Sequence, residues 1–343
     1  MAREPVNPTI LFPELARSRR PPAALLVNDV TLREAEQSEG ITLGQELKIE
    51  LALALEGSGI RQVQVGYPGR FKRDREATQA VREVLTVAAV EVVALAFVED
   101  WRREIDACLA SGAQVISVVF RSSDRLQRLL GVDRQQAVER VRESVERAVA
   151  GGALVAFLPS DTTRADPEHL SDLWEAAAFA GAARVYVADS MGAGTPELIA
   201  WLVDRARAVT GLPVGVHCHD DFGLAVANTL AGVNAGAEIT DVAVNGLGDR
   251  AGNAPMEEVV AALELLYEQH TGVALGSLTD VSRRFARATG RDLPPNKPIS
   301  GDAAFVHTLP THREAISRDS RSIQAFEPEL VGNLERQEDR PES

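Results

Sequence analysis

From about Ala23 the chain repeats one phrase: a short β-rich apolar run, a polar loop, then a longer amphipathic stretch rich in Ala, Leu, Glu and Arg. The runs that read as strands are ALLVNDV, QVQVGYP, VEVVALAF, AQVISVVF, LVAFLPS, RVYVADS, PVGVHCH and ITDVAVNG. Between them, stretches such as LGQELKIELALALEGSG and DRQQAVERVRESVERAVAGG read as helices, the second stopped by paired glycines. Eight such units over about 250 residues predict an α/β protein closed into a (β/α)8 TIM barrel over residues 23–270. An open, doubly wound sheet is the alternative, but no strand carries the Gly-x-Gly-x-x-Gly turn that would favour it.

The pattern breaks at both ends. Residues 1–22 read as an N-terminal arm. Beyond Thr271 the rhythm changes to GVALGSLTDVSRRFARATGRDLPPNKPISGDAAF, which predicts an accessory helical segment over 271–332 placed to contact a partner subunit. The charged run NLERQEDRPES, residues 333–343, lacks apolar periodicity and reads as a frayed tail.

Composition narrows the class further. The 343 residues are 45% hydrophobic and 25% charged, the make-up of a globular protein with a large core. Acidic residues outnumber Lys+Arg by 50 to 36, a net charge of -14, which argues against a nucleic-acid partner or an anionic membrane surface. No apolar run approaches the 18 or so residues of a membrane span. The two cysteines, Cys108 and Cys218, occur in unrelated contexts and suggest no disulfide framework, so a cytoplasmic protein is expected.

In a barrel of this kind the active site gathers at the C-terminal ends of the strands, and polar residues of unusual type fall there. Asp29 closes the first strand and opens a charged cluster that includes Arg33, Glu34 and Glu36. His217 and His219 close the seventh strand; being two apart they share a face, while Cys218 turns toward the helices. Two imidazoles and a carboxylate such as Asp29, with an amide oxygen from Asn253 after the eighth strand, make a divalent-metal site. The competing account of the His-x-His pair is two polar residues at a barrel rim. Arg33 could stabilise negative charge developing on a metal-bound substrate; its competing account is a surface arginine paired with Glu34 or Glu36. The run RFKRDR puts Arg70 and Lys72 after the second strand, where they could meet the phosphates of a substrate or serve only as a solvated loop.

Three stretches carry a family resemblance. NDVTLREAEQ resembles the first-strand signature of the DRE-TIM metallolyases, HCHDDFGLAVANTLAGVNAGA their seventh-strand metal motif, and NGLGDRAGNAPMEEVV the loop and helix after their eighth strand. The RAGN element is similar to the branch containing the 2-isopropylmalate, homocitrate and citramalate synthases. The resemblance implies a metal-dependent (Mg, Mn or Zn) Claisen condensation of acetyl-CoA with a 2-oxo acid, releasing CoA, in a homodimer. It implies Asp29, His217, His219 and Asn253 as metal ligands and Arg33 as electrophilic catalyst. It also implies Arg164, Gln64 and Ser190 as substrate-site positions, and His312 as an acid or base reaching the partner subunit's barrel.

The departures from the family pattern bear on selectivity. Glu34-Ala35 stands where the family has Asp-Gly, Gln64 where it has Glu, Ser160 where it has Glu, Ser190 where it has Thr, and Ile323 where it has Tyr. His307 and His312 alone remain of the His-x-Ser-Gly-x-His stretch. They leave open two further readings: a metal-dependent aldolase or lyase running the same enolate chemistry in reverse, and a non-catalytic relative. Because the chain ends soon after the accessory segment, leucine feedback is not expected.

Overall fold

Every one of the eight apolar runs forms a strand in the computed structural model, which describes residues 19–334 and 336–337. In chain order they are β1 (Leu26–Asp29), β2 (Gln62–Gln64), β3 (Ala89–Leu95), β4 (Val115–Arg121), β5 (Leu154–Ser160), β6 (Arg184–Asp189), β7 (Val214–Cys218) and β8 (Ile239–Val242). All neighbours pair in parallel, and β1 closes on β8 from Leu26↔Ile239 to Asp29↔Val242. The chain is a TIM barrel.

The helices between the strands form where the pattern predicts them, for local reasons. Asp133 and Gln136 form a reciprocal capping box at the start of the helix Arg134–Ala150, and Gly151 follows its end. The helix Gln45–Ser58 stops at Gly59, whose φ of 106° is left-handed. A Cβ there would lie 2.2 Å from the Gly272 carbonyl oxygen, so both the dihedral and the contact call for glycine.

Strand alternation sorts the core into layers. On β7, Val214, Val216 and Cys218 pack outward against the helices, while Gly215 and His217 face the barrel interior. The interior is closed by Val115, Ala156, Leu158, Tyr186, Ala188 and Ile239. Gly215 makes room for Tyr186, because a Cβ at Gly215 would approach the ring to 2.5 Å. Deeper in the barrel, Glu91 accepts hydrogen bonds from Asn28 Nδ2 and Gln62 Nε2, each at 2.7 Å, so this buried carboxylate is not left bare.

After the barrel's last helix, Met256–Leu266, the helix Leu278–Thr289 folds back. Its Leu278, Val281 and Phe285 join the same apolar cluster as strands β1, β2 and β8. Thr279 donates to the Val331 carbonyl at 2.7 Å, drawing in the end of the segment. Asn333, at the head of the expected tail, is buried and donates to the carbonyls of Ile299 and Gly301 at 2.9 and 3.1 Å. A short strand β9 (Val306–His307) pairs in parallel with β10 (Arg336–Gln337). Residues 1–18 of the expected arm and residues 335 and 338–343 of the tail lie outside the described residues. Among the described residues no helix is long and apolar enough to cross a membrane.

Candidate metal centre at the barrel mouth

Three side chains converge where β1, β7 and β8 meet. Immediately after β1 the chain makes a tight helical turn, Thr31–Glu34, which throws Arg33 and Glu34 inward over the mouth. Both are buried. His217, the interior-facing residue near the end of β7, and His219, just beyond it, complete the set. Ligand atoms of Glu34, His217 and His219 lie within 4.8 Å of one another.

The geometry within this group suits a divalent cation. His217 Nε2 and His219 Nε2 face each other at 3.3 Å, and Glu34 Oε1 lies 3.4 Å from His217 Nε2. His217 Nδ1 is 2.9 Å from Asp241 Oδ2. A proton on Nδ1 shared with that carboxylate leaves the Nε2 lone pair turned to the shared space, the way a metal-binding histidine is usually oriented. Asp241 is in turn held by Tyr186, whose hydroxyl donates to Oδ1 at 3.2 Å. Thus the glycine at 215 that admits Tyr186 also helps fix the tautomer of His217.

Asn253 stands beside the imidazoles. Its Nδ2 is 3.2 Å from His217 Nε2, and its Oδ1 is buried without a protein partner. A half-turn of the amide would exchange the two atoms and present oxygen to the space between the rings. Gly248 allows the amide this position, since a Cβ there would fall 1.9 Å from Oδ1. An orphaned acceptor, two facing imidazole nitrogens and an ionised carboxylate together fit a divalent metal held by Glu34, His217 and His219, with Asn253 adjacent.

Electrostatics of the metal-free protein agree. Burial alone would raise the Glu34 carboxyl, but Arg33 and then His217 outweigh it and hold the group well below the ordinary carboxylate range. Burial opposes charge on His217, yet Asp241 and Glu34 push it up to about 9. His219 is pushed down to about 4 by burial and by the neighbouring His217. The site therefore keeps one firm anion and two imidazoles of unequal basicity, with one positive charge for a bound cation to displace.

Asp29, expected as the carboxylate ligand, is not the one brought to the imidazoles. It is fully buried and both of its oxygens are committed locally: Oδ1 accepts from the Thr31 amide at 2.9 Å and Oδ2 from the Thr31 hydroxyl at 2.8 Å. Thr31 Oγ1 then accepts from Val244 N at 2.8 Å, tying the turn after β1 to the segment after β8. Asp29 shapes the turn that carries Glu34, and the position five residues on supplies the carboxylate. The signal was present in the first-strand motif, where Glu34 fills a position the family gives to another acid; the longer side chain keeps the charge and extends its reach by one methylene.

Arg33 borders this group. Its Nε donates to Gln64 Oε1 at 2.6 Å, its Nη1 to the Tyr67 hydroxyl at 3.3 Å, and it pairs with Glu34. The pairing with Glu34 raised as its competing account does exist, but in a buried setting beside the histidines. Gln64 acts on Arg33 and does not line the mouth cavity. That cavity, about 300 Å³, is bordered by Arg33, Glu34, His217, His219, Ser190 and Arg121 among others.

The remaining expected positions spread out. Ser190 lines the cavity, its hydroxyl accepting from Asp161 N at 2.9 Å. Arg164 is turned away into a bidentate pair with Asp161 at 2.7 and 2.9 Å and does not line it. Arg70 pairs with Asp100 at 3.2 Å and Glu104 at 3.0 Å, and borders an adjoining cavity of about 480 Å³ with Tyr67, Phe71 and Arg73. Lys72 is exposed and pairs with Glu76 at 3.4 Å. His312 is exposed on the helix Pro310–Arg318 and does not border the mouth cavity of its own chain. Asp241, Tyr67 and Arg121 carry no weight in the sequence argument: the first two sit inside runs that read as strands, and Arg121 directly follows one.

Comparison with known proteins places the chain in a family. A family model described as HMGL-like matches residues 24–284, the whole barrel and the first part of the segment behind it. The chain belongs to the HMGL-like family. Among curated relatives, this HMGL-like chain is 40% identical to the probable 2-isopropylmalate synthase of Ignicoccus hospitalis over 92% of its own length and 78% of that protein. It is 36% identical to the homocitrate synthase AksA of Methanopyrus kandleri over 93% of its length and 80% of that protein. It is 38% identical to a putative (R)-citramalate synthase of Archaeoglobus fulgidus, of which it spans 62% while 89% of its own length is matched. The HMG-CoA lyase of Bacillus subtilis shares the fold, with a TM-score of 0.70 over 80% of this chain and 96% of that one at 19% identity.

Proposed function

We propose that the protein condenses acetyl-CoA, or a related acyl-CoA, with a 2-oxo acid to give an alkyl-malate-type product and free CoA. The observation that carries this reading is the Glu34–His217–His219 cluster beside a buried Arg33, set in a chain whose relatives are named as synthases of this kind. The overall change balances as acetyl-CoA plus R–CO–COO⁻ plus water going to ⁻OOC–CH2–C(OH)(R)–COO⁻, CoA-SH and a proton. A new carbon–carbon bond joins the acetyl methyl carbon to the oxo carbon, and hydrolysis breaks the thioester.

A divalent ion (Mg, Mn or Zn) bound here would act as a Lewis acid on the oxo acid's carbonyl. Glu34, His217 and His219 would hold it. Arg33 then faces the oxygen that becomes an alkoxide, and Gln64 and Tyr67 keep its guanidinium in place. Ser190 lies on the cavity wall within reach of the oxo acid, and Arg164 braces the turn through Asp161 rather than touching substrate. Arg70 borders the adjoining cavity, where the CoA phosphates would approach; Lys72, further out, adds only diffuse positive charge.

Removing a proton from the acetyl methyl group needs a base, and the cavity's own candidates are spoken for. Glu34 and the two imidazoles face the cation, and Asp249 pairs with Arg250 at 2.7 Å. In this reading the base is His312 from a second copy of the chain, which makes the active enzyme a homodimer. The test uses acetyl-CoA labelled with carbon-13 in both acetyl carbons, a panel of 2-oxo acids, and mass spectrometry of the acidic products. The expected result is a product heavier than the oxo acid by the labelled acetyl unit, with CoA released in equal amount. Cleavage of 2-hydroxy or 3-hydroxy acids without any labelled condensation product would overturn it in favour of a lyase.

A further inference from the structure

The mouth cavity contains one cation that nothing in the proposed chemistry uses. Arg121 is the last residue of β4 and is half-buried. Its guanidinium lies 4.4 Å over the ring of Phe97. Among the described residues no carboxylate pairs with it. The other two cavity arginines are engaged: Arg33 by Glu34 and Gln64, and Arg250 by Asp221 and Asp249. The backbone of Arg121 is also held, since Gln127 Nε2 donates to its carbonyl at 3.0 Å. A guanidinium stacked on a ring and without a counter-ion, on the wall of a cavity, is a receptor for an anion.

Position identifies the anion. In the closed strand order, β4 stands across the barrel from β8 and three strands from β7, so Arg121 faces the cluster of Glu34, His217 and His219 over the mouth. The cavity wall beside Arg121 carries the apolar Val93, Leu95, Phe97, Val119 and Leu158, together with Tyr67, Ser160 and Ser190. A ligand with its oxo and carboxylate oxygens at the cluster would run along this wall and end at Arg121. The cavity's volume of about 300 Å³ is at the small end for ligand sites, the size for a compact acid rather than a nucleotide.

We propose that Arg121 binds a second anionic group at the far end of the 2-oxo acid, so that the substrate is a 2-oxo acid with a terminal carboxylate or phosphonate rather than an alkyl chain. This rests on the reading that the mouth takes a 2-oxo acid. An alkyl-tailed acid would leave the guanidinium desolvated and unpaired, which is a penalty against that substrate as well as a missing attraction.

The test compares wild type, Arg121→Gln and Arg121→Lys on 2-oxoglutarate, oxaloacetate and 3-phosphonopyruvate against pyruvate and 2-oxoisovalerate. Each is followed by CoA release and, without acetyl-CoA, by calorimetric binding of the acids in the presence of Mg or Mn. Wild type should prefer an acid with a second anionic group. Arg121→Gln should lower kcat/KM for it on the order of 10–100-fold, leave the alkyl-tailed acids within about twofold, and leave the KM for acetyl-CoA unchanged. Arg121→Lys should recover part of the loss. A wild-type preference for an alkyl-tailed acid, an equal loss on all acids, or a change confined to the KM for acetyl-CoA would overturn the proposal, the last by assigning Arg121 to CoA. If no acid supports CoA release yet calorimetry shows tight binding of a doubly anionic acid that Arg121→Gln abolishes, the condensation reading falls and the role of Arg121 stands.

Discussion

Which carboxylate meets the two imidazoles is settled by a few bonds at Thr31. Both Asp29 oxygens are taken by the Thr31 amide and hydroxyl, whereas the turn Thr31–Glu34 carries Glu34, itself paired with Arg33 and Gln37, up to His217 and His219. The two acids therefore separate experimentally. Glu34→Gln should weaken divalent-metal binding by at least ~100-fold with little change in fold. Asp29→Ala should cost about 1–3 kcal/mol of stability by stranding the Thr31 donors, with metal affinity held within about threefold. Calorimetric metal titration and urea denaturation check both, and equal metal loss in the two variants would return Asp29 to the site. The sequence shows all the ligand types but not this choice. Asp29 ends a strand and so has the better position by pattern alone, and only the geometry of a four-residue helical turn brings Glu34 over the mouth. His217 and His219 are legible because strand alternation places both on one face. Asp241 is not, because a carboxylate inside an apolar strand gives no sign that a tyrosine and a histidine will meet it.

At the level of elements, the eight strands and the helix stops were readable because each is set locally, by a period of two or by a cap such as Asp133 or Gly59. What the pattern could not show is how the segments after the barrel attach to it. The helix Met256–Leu266 is one point of attachment, and its first turn carries Glu257, buried beside Glu258 and Lys297. Burial and then the charge of Glu258 push the Glu257 carboxyl from 4.5 up to about 8, against Lys297 and the Asn245 amide. Between those two values the folded protein holds a proton that the unfolded chain has released. The stability this group contributes is thus complete below about pH 4.5 and is lost as the pH rises toward 8. Glu257→Gln should leave stability nearly unchanged at the acid end and raise it by about 1–3 kcal/mol at pH 8. Urea denaturation at the two pH values decides this, and an equal effect at both would show that Glu257 is ionised throughout.

For the whole molecule, the sequence separates a barrel from an accessory segment, whereas packing joins them. Phe285, from the helix Leu278–Thr289, is fully buried in the cluster that includes Val27, Val63 and Val242 of the barrel. Phe285→Ala should therefore destabilise the entire protein by about 3–5 kcal/mol, seen as one cooperative transition at lower denaturant concentration. A separate early transition, with the barrel's midpoint unmoved, would show that the segment folds on its own. The helix Pro310–Arg318 leaves His312 exposed on its own chain.

The central claim is that this barrel mouth uses a divalent cation, held by Glu34, His217 and His219, to condense an acyl-CoA with a 2-oxo acid. The most direct measurement is CoA release from acetyl-CoA, followed with a thiol reagent, by the full chain stripped of metal and resupplied with Mg, Mn or Zn across a panel of 2-oxo acids. The account predicts release only when metal, oxo acid and acetyl-CoA are all present, and none from Glu34→Gln. Release that persists without metal, or silence with every acid while metal is demonstrably bound, would contradict it.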